Sequence, residues 1–194
     1  ADPSLTSFMS TLSYTLLDRY TLNLTTRADG SSMVGKDHTW GIFPSISASW
    51  DLKKERFLRN CNTISLLNLR TGYGRSGNLG GISSYLTLRQ YIPVGLVPYN
   101  GTPTVTMGTL RNSNPDLRWE TRSTFNIGTD LGLFNNRLLL TAEYYYSKTT
   151  DMLYEYDVPV PTFAFDKLLA NIGSMSNSGF EVGIGLVPIS KKDM

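Results

Sequence analysis

Cysteine, histidine and long apolar runs are nearly absent from this chain. Its 194 residues include one cysteine, Cys61, and one histidine, His38. A single cysteine excludes an internal disulfide framework and a cysteine zinc cluster, and a single histidine excludes a metal site built on several histidines. No apolar run approaches the roughly 18 residues that a membrane-spanning helix requires. Charged residues make up 18% of the chain, below the ~25% of average soluble proteins.

What the chain has instead is a regular alternation of apolar and polar residues over stretches of about ten residues. Phe125, Ile127 and Leu131, for example, alternate with Asn126 and Asp130. Neighbouring side chains of a β-strand point to opposite faces, so each stretch predicts a strand with one apolar and one polar face. We predict an all-β, antiparallel up-and-down meander of about seven strands, at residues 5–16, 20–28, 41–52, 64–74, 117–133, 138–148 and 179–187.

The predicted connectors are alternately short and long. The long ones span residues 29–39, 76–115 and 149–178. Because chain reversals alternate between the two ends of a meander, all long loops fall at one end and all short turns at the other. An apolar face, a polar face and loops sorted in this way are typical of the wall of a transmembrane β-barrel with a wet lumen.

Three local irregularities are expected within this arrangement of strands. Pro44 lies inside the third strand, and since proline cannot donate to a strand ladder, it predicts a bulge or break. We also expect one helical turn within the charged connector 53–62 and another at 166–170.

The glycine-rich segment 72–77 matches G-x-G-x-x-G, which in dinucleotide-binding proteins precedes a helix and an acidic residue about 20 positions later. A poor helix start follows here, and no Asp or Glu occurs between Glu55 and Asp116. The segment therefore favours the glycine-rich end of a strand, and we expect no cofactor and no nucleic-acid partner.

The acid-free stretch itself carries arginines that would fall at or above the outer rim, namely Arg75, Arg89 and Arg111. Guanidinium groups match phosphate geometry, so one hypothesis is contact with lipopolysaccharide phosphates or with an anionic substrate. The alternative is solvated loop charge.

Aromatic residues also cluster in or beside the predicted long loops, namely Trp40, Tyr85, Tyr91, Tyr99 and Trp119. Aromatic faces stack on sugars, so these side chains are candidates for glycan contact. The alternative is an interfacial belt or loop packing, because belts are enriched in Trp and Tyr.

Catalysis and metal binding find little support in the sequence. His38 lies in a predicted loop without a recognisable triad, and Glu143 and Glu181 fall on the polar faces of separate strands, where lumen-lining charge accounts for them. The acidic residues of the second long loop, from Asp151 to Asp166, do not have the spacing of a calcium loop. We predict that the chain is not an enzyme.

Several segments taken in order carry a more specific signal. They are RADGSS at 27–32, WGIFPS at 40–45, LRTGYG at 69–74, NPDLRWET at 114–121, NIG at 126–128, LFNNR at 133–137 and NIGSMSNSGFE at 171–181. Together they resemble the C-terminal half of the barrel in SusC/RagA-type TonB-dependent outer-membrane transporters of Bacteroidetes.

The resemblance implies a segment of an importer for oligosaccharides or peptides in the outer membrane of a Gram-negative bacterium, driven through TonB and partnered by a SusD-like lipoprotein. It also implies that residues 1–194 are a partial barrel domain, without the plug, the N-terminal domain and the final strands. The alternative is a soluble β-sandwich or barrel module that binds carbohydrate. The two differ in whether the alternating apolar face meets lipid or is buried within a water-soluble monomer.

Overall fold

The computed structural model describes residues 4–80, 82 and 86–188. Seven antiparallel strands form one sheet in the order β1-β2-β3-β4-β7-β8-β9, and β5 pairs with β6 in a separate hairpin. Short 3-10 turns lie at Lys36–His38 and Leu52–Lys54. The strands are β1 (Leu5–Leu16), β2 (Tyr20–Ser31), β3 (Trp40–Asp51), β4 (Ile64–Asn78), β5 (Tyr91–Tyr99), β6 (Thr102–Thr109), β7 (Glu120–Leu133), β8 (Leu138–Asp157) and β9 (Lys167–Leu186). Across the described part of the chain, no helix has the length and apolar character needed to cross a membrane.

One face of the seven-stranded sheet is apolar from edge to edge. The strand register aligns the alternating apolar residues, so that Ile46 is opposite Tyr73 and Tyr73 is opposite Phe125. A single transverse row of such residues crosses six strands: Leu12, Leu24, Ile46, Tyr73, Phe125 and Tyr146. Every member of this row is exposed, so the chain itself does not cover its apolar face.

The opposite face is polar. Thr11 faces Thr25 with their hydroxyl oxygens 3.3 Å apart, Ser13 donates to Asn23, and Asn23 Nδ2 donates to Ser47 Oγ at 3.3 Å. The fold class predicted from the alternation, an all-β antiparallel meander with two chemically different faces, is confirmed.

The predicted ends of several strands are wrong, most clearly in the second long loop. Residues 149–157 and 167–178 do not form a loop, because β8 and β9 continue and pair there, with register shifts beside Asp151. The helical turn expected at 166–170 is strand from Lys167 onward. Both faces of this extension carry polar residues, so it lacks the alternation that marks a strand in sequence.

The acid-free region agrees with the prediction in one respect and differs in two. Segment 72–77 is strand, as expected for a glycine-rich strand end, but β4 continues to Asn78. Further on, the predicted 76–115 loop contains the β5–β6 hairpin. Its turn is Asn100-Gly101, with both residues at positive φ (49° and 78°), which suits a tight hairpin. Prolines at 93, 98 and 103 concealed the two strands, because proline usually argues against strand.

The sequence predicted a bulge or a local break at Pro44. The β2–β3 ladder has no bulge, because its register runs without a shift and places Pro44 opposite Thr26. The β3–β4 ladder does break beside this residue, since β3 pairs with β4 only as far as Ser45. The missing N–H of Pro44 is therefore tolerated because it lies where β3 and β4 have already separated.

The buried core lies at the loop end and not within the sheet. It consists of Val34, Phe43, Ile82, Leu117 and Trp119, and Leu117 has 0% exposure. The chain thus combines an uncovered amphipathic sheet with a packed cap of loop segments above it. We call this set of five residues the loop core.

Candidate transport surface

Segment 112–119 is held against the start of β9 by asparagine side chains. Asn112 Nδ2 donates to the carbonyl oxygens of Phe165 and Lys167, at 2.7 and 2.8 Å. Its Oδ1 accepts from the backbone N–H groups of Ala164 and Phe165. Asn114 Nδ2 donates to Leu169 O at 2.9 Å. The two asparagines thus provide hydrogen-bond partners for backbone groups of residues 164–169.

Asn171 fixes the other end of the same segment. Its Nδ2 donates to Arg118 O at 2.8 Å and to Asp151 O at 2.7 Å, and its Oδ1 accepts from Arg118 N at 3.0 Å. The Arg118 guanidinium donates to Asp151 Oδ1 through Nε at 2.9 Å and through Nη2 at 2.5 Å. These contacts position Leu117 and Trp119, the neighbours of Arg118, in the loop core.

Phe43 fills the gap that opens where β3 and β4 separate. Its ring meets Trp119 edge-on, with centroids 5.6 Å apart and an interplanar angle of 67°. The ring lies over two glycines: a Cβ on Gly41 would come 2.4 Å from Phe43 Cζ, and a Cβ on Gly77 would come 2.1 Å from it. Any larger residue at Gly77 would displace the ring, so the glycine is a packing requirement.

A charged cluster lies on the polar face, midway along the sheet. Arg70 pairs with Asp130 at 3.3 Å and with Glu143 at 2.5 Å, and Asn126 Nδ2 donates to Glu143 Oε1 at 3.3 Å. Glu181 lies directly opposite Glu143 in the β8–β9 register. The cluster has three carboxylates for one guanidinium, so this part of the polar face is acidic.

Two stacked aromatic pairs mark the two ends of the apolar face. Phe8 and Trp40 stack at the loop end, with centroids 6.0 Å apart, and Tyr20 and Trp50 stack at the turn end, 5.9 Å apart. Trp40, which is 54% exposed, lies on the same face of β3 as Trp50 because ten residues separate them. Its position is that of a belt residue, while contact with a glycan stays untested.

Glu55 anchors the turn end. It accepts from Arg19 Nη1 at 2.7 Å, from the Tyr20 hydroxyl at 2.6 Å and from Trp50 Nε1 at 3.1 Å. The hydrogen bond from Tyr20, followed by that from Trp50, lowers the pKa of the Glu55 carboxyl below its usual value. The carboxylate thus links the connector between β3 and β4 to the aromatic pair.

The structure places the other predicted contact residues in three separate environments. Trp119 is buried in the loop core, yet together with Trp40 and Arg75 it also lines a pocket of about 220 Å³. Tyr91 and Tyr99 lie at opposite ends of β5 and are both exposed.

The structure also brings Arg89 and Arg111 together. They line one groove of about 470 Å³ between the base of the β5–β6 hairpin and the loop that joins β8 to β9. Tyr85, the remaining predicted contact residue, lies outside the described residues.

Sequence reasoning missed the asparagine contacts and Phe43. Phe43, Asn114 and Asn171 occur in segments that carried the family resemblance, WGIFPS, NPDLRWET and NIGSMSNSGFE, and Asn112 lies just before the second of them. A motif does not reveal which residue connects two distant segments. Within residues 4–80, 82 and 86–188, no group of three or more His, Cys, Asp or Glu side chains could hold a metal ion. Asp151 and Asp157, from the predicted acidic loop, pair instead with Arg118 and Lys167.

An amphipathic antiparallel sheet with aromatic pairs at both ends of its apolar face and a loop cap at one end defines a wall segment of a transmembrane β-barrel. The family model for the TonB dependent receptor-like β-barrel matches residues 3–187. The chain belongs to this family, whose members are outer-membrane proteins of Gram-negative bacteria.

Individual relatives agree with this assignment. The chain is 38% identical to the TonB-dependent receptor SusC of Bacteroides thetaiotaomicron, over 98% of this chain and 19% of SusC. It is 36% identical to the TonB-dependent receptor P26 of Formosa agariphila, over 92% of this chain and 18% of that receptor. The structure of the RagAB peptide importer in its open-open state superposes with a TM-score of 0.87 at 29% identity, covering 100% of this chain and 20% of that one.

The predicted resemblance to SusC/RagA-type transporters is therefore confirmed. The chain spans about a fifth of the length of the relatives that it matches.

Proposed function

We propose that this chain forms part of the wall and outer loops of a TonB-dependent importer that carries oligosaccharides or peptides across the outer membrane. In this proposal the chain is a partial barrel domain. The rest of a longer polypeptide supplies the plug, the N-terminal domain and the remaining strands. TonB drives uptake and a SusD-like lipoprotein is the partner, as in the family that the chain resembles. The role is transport and not catalysis, in keeping with the names of its relatives.

The separation of the two aromatic pairs is the observation that carries the proposal. Trp40 and Trp50 lie ten residues apart on β3, or about 33 Å along a strand at ~3.3 Å per residue. With the 35–45° tilt of outer-membrane strands, this distance corresponds to a height of about 25 Å, the usual height of the apolar band between aromatic girdles. The exposed apolar row between the pairs then faces lipid.

The remaining features fit the same placement. The acidic cluster around Arg70 and Glu143 lies on the face that would line the lumen, where water solvates the charges. Strands β1 and β9 lie at the edges of the sheet. In the complete barrel each would pair with a further strand, since unpaired strand edges do not occur in the hydrocarbon region.

Site-directed labelling of the full-length receptor in living cells tests this placement. In a Cys61→Ser background, Thr104→Cys lies in the β5–β6 hairpin and Arg137→Cys lies in the turn between β7 and β8. We expect a membrane-impermeant maleimide to label position 104 in intact cells, and position 137 only after the outer membrane has been permeabilised.

Labelling of both positions in intact cells would contradict the proposed orientation. The soluble-module alternative makes a different prediction for Ile127→Cys on the apolar face. A barrel wall requires labelling of this position by a lipid-soluble reagent and not by the impermeant one. Burial inside a soluble monomer protects it from both until the protein unfolds.

A further inference from the structure

In strands β4, β7 and β8, the apolar face of the sheet ends toward the loops in a row of aromatic rings. The strand register places Tyr73 opposite Phe125 and Phe125 opposite Tyr146, and all three rings are exposed. Two residues further toward the loops, β4 carries Arg75 and β8 carries Lys148. Side chains two residues apart on a strand share a face, so both cations lie on the apolar face, directly beyond the aromatic row.

Arg75 and Lys148 belong to a single transverse row. Arg75 is opposite Ser123 in the β4–β7 register, and Ser123 is opposite Lys148 in the β7–β8 register. Because neighbouring strands lie about 4.8 Å apart, the backbones of the two basic residues are about 10 Å apart, with Ser123 between them. Both side chains are long enough to reach one group placed over Ser123. The row can therefore offer a guanidinium, a hydroxyl and an ammonium group to the same ligand, and all three donate hydrogen bonds.

The positive charge of this row has no counterpart on the same face. Arg75 and Lys148 are exposed, and neither forms an ion pair with a described residue. No other charged residue occurs among the described strand residues of the apolar face, as far as Thr150 in β8 and from Ser176 in β9. An arginine and a lysine are thus the exceptions on an otherwise uncharged face, and both stand at its outer limit.

The two carboxylates that line the pocket beside Arg75 do not neutralise it. Asp151 is paired with Arg118 at 2.5 Å. Asp37 lines the same pocket but forms no ion pair with Arg75. The guanidinium of Arg75 is therefore available to an anion, and its planar fork matches a phosphate with two hydrogen bonds.

The position of the row selects the phosphate of a lipid over a dissolved anion. Two residues correspond to about 6.6 Å along a strand, so with a tilt of 35–45° the cations lie about 5 Å beyond the aromatic row. Aromatic belts mark the level of the lipid headgroups, and charged headgroups therefore surround the side chains that follow. A substrate in transit would pass the opposite, polar face of the sheet and would not meet this row.

We propose that Arg75, Ser123 and Lys148 bind the phosphate of a lipopolysaccharide molecule in the outer leaflet. The inference rests on the proposed function, because that function places the loop end of the sheet in the outer leaflet. In this role the lipid is a companion of the barrel wall and not a transported substrate.

Binding of lipid A, the phosphorylated lipid portion of lipopolysaccharide, to the full-length receptor tests the inference. The receptor is purified in detergent, stripped of lipid and titrated with lipid A, and the bound lipid is counted by native mass spectrometry. The matched probe is dephosphorylated lipid A with the same acyl chains. Arg75→Gln and Lys148→Gln are the test variants, and Arg137→Gln is the control because this exposed arginine lies at the turn end.

The expected result is tighter binding of lipid A than of its dephosphorylated form. A basic residue near an anionic lipid surface changes affinity by about fivefold, so each test variant should weaken binding by about that factor and the double variant by about 25-fold. Arg137→Gln should bind as the wild type does. Arg75→Lys should retain most of the affinity, because it keeps the charge and loses only the fork.

Three outcomes would overturn the inference. They are equal affinity for the two forms of lipid A, unchanged affinity in the double variant, and displacement of lipid A by millimolar inorganic phosphate at constant ionic strength. The last would identify a site for dissolved anions. The cysteine labelling at positions 104 and 137 involves neither Arg75 nor Lys148, so it tests the proposed function separately and the two can fail independently.

Discussion

Replacement of Asn171 should loosen the loop cap while leaving the sheet below it intact. The side chain makes three hydrogen bonds, two to Arg118 and one to the carbonyl of Asp151. At a net contribution of about 1 kcal/mol each, Asn171→Ala should lower the free energy of local opening by about 3 kcal/mol. Because 1.4 kcal/mol corresponds to a factor of ten, amides protected by this local opening should exchange roughly 100-fold faster.

Hydrogen exchange of the full-length receptor, read by mass spectrometry on peptides that cover 112–119, measures this effect. Asn177→Ala is the matched control, because Asn177 lies on the same strand, is exposed and forms no side-chain hydrogen bond described in the structure. Asn171→Asp should be no better than Asn171→Ala, since it loses both donors and adds a carboxylate beside Asp151. An unchanged exchange rate in 112–119, or an equal acceleration in β7 and in this segment, would refute the conclusion that Asn171 holds segment 112–119 in place locally.

Three further predictions test the loop core, the apolar face of the sheet and the turn end separately. Gly77→Ala should destabilise the loop core by about 1–3 kcal/mol, the range for overpacking, because its Cβ would come 2.1 Å from the ring of Phe43. The smaller side chain of Phe43→Leu, introduced into the same protein, should restore the protease resistance of the loops. Failure of this rescue would contradict the packing argument. Ile127→Lys should lower the free energy of unfolding of the receptor in lipid vesicles, measured by urea titration, by about 2–4 kcal/mol, as for a charge on the lipid face near the midplane. Ser49→Lys, on the polar face, is the control. An equal loss of stability in the two variants would argue against a lipid-facing surface. Glu55 has a lowered pKa in the folded protein, so its stabilising effect is present above the ordinary glutamate pKa of about 4.3 and is lost as the pH falls through the lowered value. The difference in melting temperature between wild type and Glu55→Gln should accordingly shrink at acidic pH. A difference that grows at acidic pH would contradict a lowered pKa of Glu55 in the folded protein.

The parts of the fold that were predictable are those where one face of a strand meets a different environment from the other. Strand β1 begins and ends at the predicted residues, Leu5 and Leu16, because Phe8, Leu12, Tyr14 and Leu16 share one face and a tight turn follows at 17–19. The extension formed by β8 and β9 was not predictable in this way, since serines, threonines and asparagines occupy both of its faces. Alternation reports a difference between the environments of the two faces. It is absent from this extension, where polar residues lie on both faces and Leu153 and Leu169 pack against the loop core.

The candidate site was less predictable than the fold, for a related reason. The sequence placed both Arg89 and Arg111 at the outer rim, yet their common groove depends on Asn112, which bonds residues 52 to 55 positions away. Similarly, Trp40 and Trp119 look equivalent in sequence, but one lies exposed on the apolar face and the other is buried against Phe43. Contacts of this range depend on the register of the whole sheet, which no local pattern records.

The location of the loop core has a consequence for how this chain can change during evolution. In the proposed placement, the wall draws its stability from strand pairing and from lipid against its exposed apolar row, whereas the cap is stabilised by its own buried residues and by asparagine bonds to the backbone. Side chains that line the groove, such as Arg89, Thr162 and Phe163, belong to neither set. The lining can therefore be replaced without the loss of a strand pair or of a loop-core contact, while Asn112 must be kept to hold the walls in place. We expect substitutions at those positions to leave the cap folded, because the contacts that stabilise the cap lie elsewhere.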